Sequence, residues 1–203
     1  MSEGIHVYGL TGGVATGKST CVNLLKELYK DIVIFDADEC VARLYQTSAI
    51  LLELRAYFGC SIFDNNDQLD KKKVRDQVFT SKDDLRFLEG LFHPRVREEC
   101  LALLETTVKD NTSRLFVADV PLLFENGFDF GQSANLLVAT SRQAQFNRFK
   151  KRNEWKDEIL EAVLSSQIDI SAKIKMADVV FWNEGGLLTL KSQCKRFIQS
   201  LNL

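Results

Sequence analysis

The sequence predicts an α/β fold, a parallel sheet of five strands with helices on both faces, interrupted by two inserted segments. Three observations predict it. A glycine-rich run fitting G-x-x-x-x-G-K-[ST] lies between a short apolar segment and a helical repeat of apolar residues. Four further apolar runs follow, each ending at a polar residue, with helical stretches between them. Two intervals, from Asp38 to Leu115 and from Asn147 to Gln167, break that rhythm.

The first strand is Ile5-His6-Val7-Tyr8-Gly9-Leu10, whose β-branched and aromatic residues suit a buried parallel strand. It runs into Gly12-Gly13-Val14-Ala15-Thr16-Gly17-Lys18-Ser19, which meets the phosphate-loop pattern at every fixed position. From Lys18 onward Cys21, Val22, Leu24, Leu25 and Leu28 recur at helical spacing, so the loop opens directly into an amphipathic helix. Glycines let successive N–H groups wrap a phosphate at the positive end of that helix. Lys18 is then placed to reach the β- and γ-phosphates of a nucleotide, and Ser19 to offer its hydroxyl to Mg²⁺.

The second strand, Ile32 to Phe35, leads to Asp36-Ala37-Asp38. In extended backbone, residues two apart share a face, which aims both carboxylates at the γ-phosphate region. One of them then accepts a proton from a hydroxyl under attack, while an aspartate capping the next helix fits the same residues equally well. The third strand, Leu115 to Ala118, ends at Asp119, which reads as a Walker B carboxylate for Mg²⁺ or as an ordinary strand-end residue. After the fourth strand, Leu136 to Ala139, Thr140 and Gln143 have the spacing of a helix capping box. The fifth, Val179 to Trp182, precedes Asn183-Glu184-Gly185-Gly186 and a closing helix with apolar positions 187, 190, 194, 197, 198 and 201 on one face.

The first interval reads as a small helical subdomain, with helical stretches from Cys40 to Phe58, an Asp64-Asn65-Asn66-Asp67 turn and the basic run Lys71-Lys72-Lys73-Val74-Arg75. That run fits an anionic substrate or a solvated face. Pro94 fits the opening of a helix through Arg95, Val96 and Arg97, and His93 before it is equally a substrate contact or a structural residue. In the second interval Arg148 and Arg152 share a helix face and suit stabilisation of a transferring phosphoryl group. Lys150 and Lys151 read as a solvated face.

A chain of 203 residues, 45% apolar and 27% charged, suits one globular α/β domain with insertions. The net charge of −2 gives no general attraction to nucleic acid or anionic membrane. No run approaches the roughly 18 apolar residues of a membrane span, and the start of the chain lacks a signal-peptide pattern, so a cytoplasmic location is expected. The five cysteines form no C-x-x-C pair and read as reduced thiols, Cys21 and Cys194 on the apolar faces of helices.

Several blocks, in this order, resemble the dephospho-CoA kinase family: Gly9 to Thr20, Asp36-Ala37-Asp38, Leu69-Asp70-Lys71, His93-Pro94, Asp119-Val120-Pro121-Leu122-Leu123-Phe124-Glu125, the Arg148 and Arg152 pair, and Ala177-Asp178 followed by Asn183 and Gly185. The resemblance implies a P-loop kinase sheet formed by about 1–38, 112–146 and 168–203, a CoA-binding helical insertion over about 39–111, and a lid over about 147–167. It implies transfer of the γ-phosphoryl group of ATP to the ribose 3′-hydroxyl of 3′-dephospho-CoA, the last step of CoA biosynthesis, with Mg²⁺ at Ser19 and Asp119. Asp38 matches the general base, with Lys18 and Arg148 as its catalytic companions. Gly12, Gly13, Val14, Ala15, Thr16, Gly17, Lys18, Ser19 and Thr20 form the ATP cradle. Arg148 and Arg152 match the lid, and Asn183 and Gly185 match the loop beside adenine. Lys71, His93, Leu122, Leu123 and Glu125 fall in substrate-side motifs. Val14-Ala15-Thr16 replaces the commoner Ile-Gly-Ser, and Lys71 stands where Arg is usual and lacks its bidentate fork. A monomer or small homo-oligomer with no nucleic-acid or membrane partner is expected. Two alternatives stand beside this reading: another small-molecule or nucleotide P-loop kinase, and a nucleotide-dependent switch without turnover.

Overall fold

The computed structural model describes residues 4–152, 161 and 164–203, apart from the side chains at 79, 80 and 152. Five parallel strands make one sheet: β1 (His6–Gly12), β2 (Val33–Asp36), β3 (Leu115–Asp119), β4 (Ala134–Ala139) and β5 (Val179–Trp182), in the order β2-β3-β1-β4-β5. β1 is central and pairs Leu10 with Asp119 on β3 and Gly12 with Val138 on β4. From Val7 to Gly12 it is buried throughout, as a strand covered on both faces must be. The chain turns to opposite sides of the sheet from this centre, so the loop after β1 opens at the switch point where such sheets hold ligands.

The helices follow the apolar periodicity. α1 (Lys18–Leu28) buries Cys21, Val22, Leu24 and Leu25. The closing helix α8 (Leu187–Ser200) buries Leu190, Cys194 and Phe197. Both pack on one face of the sheet with Tyr8, Leu10, Leu115, Val117, Leu136, Val138 and Phe181. The sulfurs of Cys21 and Cys194 are 3.6 Å apart there, and the neighbouring Cys194 sulfur together with burial pushes the Cys21 thiol up, so it packs as a neutral small hydrophobe. The alternate side chains of the strands point the other way, where Phe116 meets Phe130. Between β4 and β5 lie α6 (Arg142–Arg152) and α7 (Ile170–Met176).

Residues 38–99 form a separate compact unit. It contains most of α2 (Ala37–Leu44), then α3 (Ser48–Phe58), α4 (Lys71–Thr80) and the first part of α5 (Lys82–Lys109). Its core includes Ile50, Leu54, Ile62, Val74, Leu91 and Val96. Aromatic pairs brace it, Tyr45 on Phe92 at 4.5 Å and Tyr57 stacked on Phe87 at 3.7 Å. The expected turn forms as Asp64 accepts from the N–H groups of Asn66 and Gln68, and Asp70 caps α4 by accepting from Lys72 and Lys73. Among the described residues no helix is long and apolar enough to cross a membrane.

Two local expectations are corrected. Asp36 and Asp38 do not share an extended segment, because the strand ends at Asp36 and α2 has already begun at Ala37, putting Asp38 in its first turn. Pro94 does not open a helix but lies inside α5, 28 residues long. Packing of Leu91, Phe92, Val96 and Cys100 along one side carries the helix through the proline. Pro94 has no N–H for the Gly90 carbonyl one turn back, and Arg95 Nη1 donates to the next carbonyl, Leu91 O, at 2.6 Å. Pro94→Ala, which restores that N–H at an exposed position, is expected to raise unfolding stability by about 2 kcal/mol, read by chemical denaturation of the whole chain. Leu136→Ala at the fully buried centre of the sheet is expected to lower it by about 2–5 kcal/mol.

Candidate active site

The loop after β1 is held mainly by its carbonyls, with the Val14 N–H also engaged. Thr16 Oγ1 donates to Gly13 O at 2.9 Å, and Thr16 O accepts from Asn183 Nδ2 at 2.8 Å and from Arg148 Nη1 at 3.3 Å. Val14 O accepts from Gln145 Nε2 at 2.8 Å, while the Val14 N–H donates to Gln167 Oε1 at 3.2 Å. Gly17 has φ 96, and a Cβ there would stand 2.2 Å from Asn183 Nδ2, so only glycine fits the point where the loop becomes α1. Ala15 takes φ 56, a left-handed conformation uncommon for a residue with a side chain. The N-terminus of α1 follows at Lys18, giving the loop the positive end of a helix dipole.

Lys18 pairs through Nζ with Asp119 Oδ1, at the carboxyl end of β3. Asp119 is 5% exposed, so the pair neutralises a carboxylate that burial would otherwise penalise. Ser19 is exposed in the first turn of α1. The peptide after Asp119 is tied to β1, with Val120 N–H donating to Leu10 O at 2.9 Å and Thr11 Oγ1 to Pro121 O at 2.8 Å. A carboxylate and a hydroxyl form an oxygen donor set that suits Mg²⁺, which keeps most of its shell from water and substrate phosphates. Among the described residues no group of three or more His, Cys, Asp or Glu side chains forms a protein cage for a metal.

Arg148 and Asn183 meet at the loop, for Arg148 Nη2 also donates to Asn183 O at 2.6 Å. The Arg152 side chain lies outside the described residues. Gly185 comes before Gly186, the N-cap of α8. Between Asn183 and Gly185, Glu184 does work that the sequence reading missed. Its carboxylate accepts from Ser141 N–H and Oγ and from Thr140 Oγ1, at 2.7–2.8 Å, locking the end of β4 to the end of β5. The Ser141 backbone and hydroxyl, with Thr140, hold this carboxyl below the usual range. Thr140 is therefore not the expected cap of α6. Ser141 takes that place, its Oγ accepting from Ala144 N–H at 3.2 Å, because Thr140 is spent on Glu184.

The substrate-side candidates fall in several places. Asp38 is exposed on α2, Lys71 opens α4 with Nζ 5.5 Å from the centre of the Tyr45 ring, and His93 is half-buried on α5. Leu122 is partly exposed, while Leu123 is buried in the core. Its Cδ1 lies 2.5 Å from where a Cβ on Gly9 would stand. Glu125 accepts from Ile168 N–H at 3.1 Å and pairs at 2.6 Å with Lys173, which is 1% exposed. A Gln-rich support, Gln145 and Gln167, and the buried Lys173 escaped sequence reading. Neutral amides carry no motif, and a lysine in an amphipathic stretch reads as surface.

The family model described as Dephospho-CoA kinase matches residues 6–189. A dephospho-CoA kinase of Fusobacterium nucleatum is 34% identical over 97% of this chain and 99% of its own. Among solved structures, the chain resembles the protein TT1252 from Thermus thermophilus with a TM-score of 0.81 and 28% identity, covering 98% of each chain. It also resembles the dephospho-CoA kinase from Campylobacter jejuni with a TM-score of 0.69 and 26% identity, covering 96% of each.

Two measurements test the loop and its clasp. Because a left-handed alanine costs about 1–2 kcal/mol and glycine gives back about 0.4–1 in unfolded-chain entropy, Ala15→Gly is expected to raise the thermal unfolding midpoint slightly. Glu184 has a lowered folded-state pKa, so its contribution is present above the ordinary carboxylate range and is lost as pH falls through the folded value. Acid titration of stability is therefore expected to fall less steeply for Glu184→Gln than for the wild type below about pH 5.

Proposed function

The chain belongs to the dephospho-CoA kinase family, and from that premise we propose how its residues move the γ-phosphoryl group of ATP to the ribose 3′-hydroxyl of 3′-dephospho-CoA, the last step of CoA biosynthesis. The observation that carries the reading is the loop from Gly12 to Ser19, gripped by its carbonyls and followed by a lysine paired to a buried aspartate. Loop N–H groups and the α1 N-terminus receive the phosphates, and Gly12 to Thr20 form the cradle. Lys18 exchanges Asp119 for the β- and γ-phosphate oxygens, and its charge follows the negative charge that develops in the transition state.

Asp38 is the general base. As the 3′-oxygen bonds to the γ-phosphorus, the bond from that phosphorus to the β–γ bridging oxygen breaks, ADP leaves, and the hydroxyl proton passes to the Asp38 carboxylate. Arg148 and Arg152 neutralise the transferring group, and Asn183 and Gly185 border the adenine. Lys71, His93, Leu122, Leu123 and Glu125 serve the acceptor side, with residues 39–111 as the CoA-binding insertion and 147–167 as the lid. Ser19 and Asp119 would hold Mg²⁺, which would supply positive charge to offset that of the phosphates. The protein acts in the cytosol, in keeping with cysteines that are all free thiols.

The test is incubation with ATP, Mg²⁺ and a panel of hydroxyl acceptors, with products identified by mass spectrometry. Dephospho-CoA is expected to gain one phosphate at the 3′-position, and turnover of a nucleoside monophosphate instead would sink the assignment. Asp38→Asn is expected to lower kcat by about 10²–10⁴-fold, the usual worth of a general base; normal 3′-phosphorylation by this variant removes the base role from Asp38. Lys18→Ala is expected to abolish most turnover, and a parallel unfolding curve separates that loss from the destabilisation of leaving Asp119 without its lysine.

A further inference from the structure

Two glutamines hold the two peptide groups that flank the Val14 Cα in the phosphate loop. Gln145, buried on α6, donates to the carbonyl of Val14, and Gln167 accepts from its N–H. Arg148, three residues after Gln145 and so on the same helix face, grips the Thr16 carbonyl together with Asn183. Both neighbours of Ala15 are thus fixed from outside the loop. Ala15 itself holds φ 56, and such backbone strain persists only where the surroundings over-determine it. Packing adds to the grip, since Val14 and Ala15 lie against a small apolar cluster around Phe149 and Leu164.

The support has its own anchor. A Cβ on Gly13 would come within 2.8 Å of Gln145 Nε2 and 3.2 Å of Gln167 Oε1, so the two amides are seated directly on the loop. Gln167 is followed by Ile168, whose N–H donates to Glu125, and the same Glu125 oxygen pairs with buried Lys173. Gly13, Gln145, Gln167 and Lys173 line one cavity of about 230 Å³, so loop, clamp and anchor are contiguous.

We propose that Gln145 and Gln167 are positioning residues for phosphoryl transfer, which keep Ala15 left-handed by fixing the two successive peptides on either side of Val14, and that the Glu125–Lys173 pair anchors the segment carrying Gln167. Neither glutamine needs to touch phosphate. Without them the alanine relaxes toward a commoner conformation and the loop N–H groups no longer converge. The inference rests on reading the loop as the nucleotide site, and its test separates the two.

The test is calorimetric titration of ADP into the full chain without acceptor. Gln167→Ala and Gln145→Ala are each expected to weaken ADP binding about 5- to 10-fold, the scale of one net hydrogen bond. The KM for ATP is expected to rise by a similar factor, while kcat at saturating ATP falls less than about 2-fold. In an Ala15→Gly background the same Gln167→Ala change is expected to cost less than about 2-fold, because glycine takes positive φ without the clamp. A merely structural role predicts no such rescue. The proposal is overturned if both glutamine variants bind ADP like the wild type, or if Ala15→Gly leaves their loss intact. A wild-type protein that binds no ADP instead overturns the nucleotide reading.

Discussion

A phosphate loop has to keep its N–H groups available and still hold one shape. The first demand limits the backbone pairing that makes helices and strands rigid, so much of the second is met through the loop's carbonyl oxygens. That division is visible here in part, for the Val14 N–H is given to Gln167 and the Thr16 N–H to Gly13 O, while most of the grip falls on carbonyls. Gly13, Val14 and Thr16 each give a carbonyl to a side chain, from Thr16, Gln145, Arg148 and Asn183. Since Gln145 and Arg148 come from α6, after β4, and Asn183 from the end of β5, the loop draws its shape from two other segments of the fold as well as from its own Thr16.

The sheet makes that arrangement possible. With β1 central and all neighbours parallel, the ends of β1, β3, β4 and β5 open on one edge. Lys18 and Asp119 meet across that edge, and Glu184 ties the β4 end to the β5 end through Thr140 and Ser141. Buried charge is concentrated where it is paired: Asp119 with Lys18, and Glu125 with Lys173. Such pairs add little net stability over apolar packing, but breaking one leaves an uncompensated charge, so they fix geometry more than they raise the unfolding free energy.

The strands and the phosphate loop were legible in the sequence because each depends on local composition. Apolar β-branched runs select buried strands, and glycines at 12, 13 and 17 select the loop. Less legible were features set by competition between neighbours. Thr140 matches a capping box by spacing, yet Glu184, 44 positions away, takes its hydroxyl and leaves the cap to Ser141. Pro94 carries a helix-start signal, yet the apolar side of α5 outweighs the missing hydrogen bond. The Asp36-Ala37-Asp38 step looks extended only if the strand continues past Asp36, and the helix begins first.

The sequence by itself determined the class of fold, the position of the phosphate loop and the family resemblance, since periodicity, glycine placement and ordered motifs are properties of residues close together in the chain. Only the tertiary structure decided how the loop is held. Gln167 reaches Val14 across 153 positions, and Asn183 reaches Thr16 across 167. No local pattern marks an amide for such a contact, because its partner is a backbone group that every residue possesses. The left-handed Ala15 shows the same limit: the residue type argues against that conformation, and contacts from distant segments impose it.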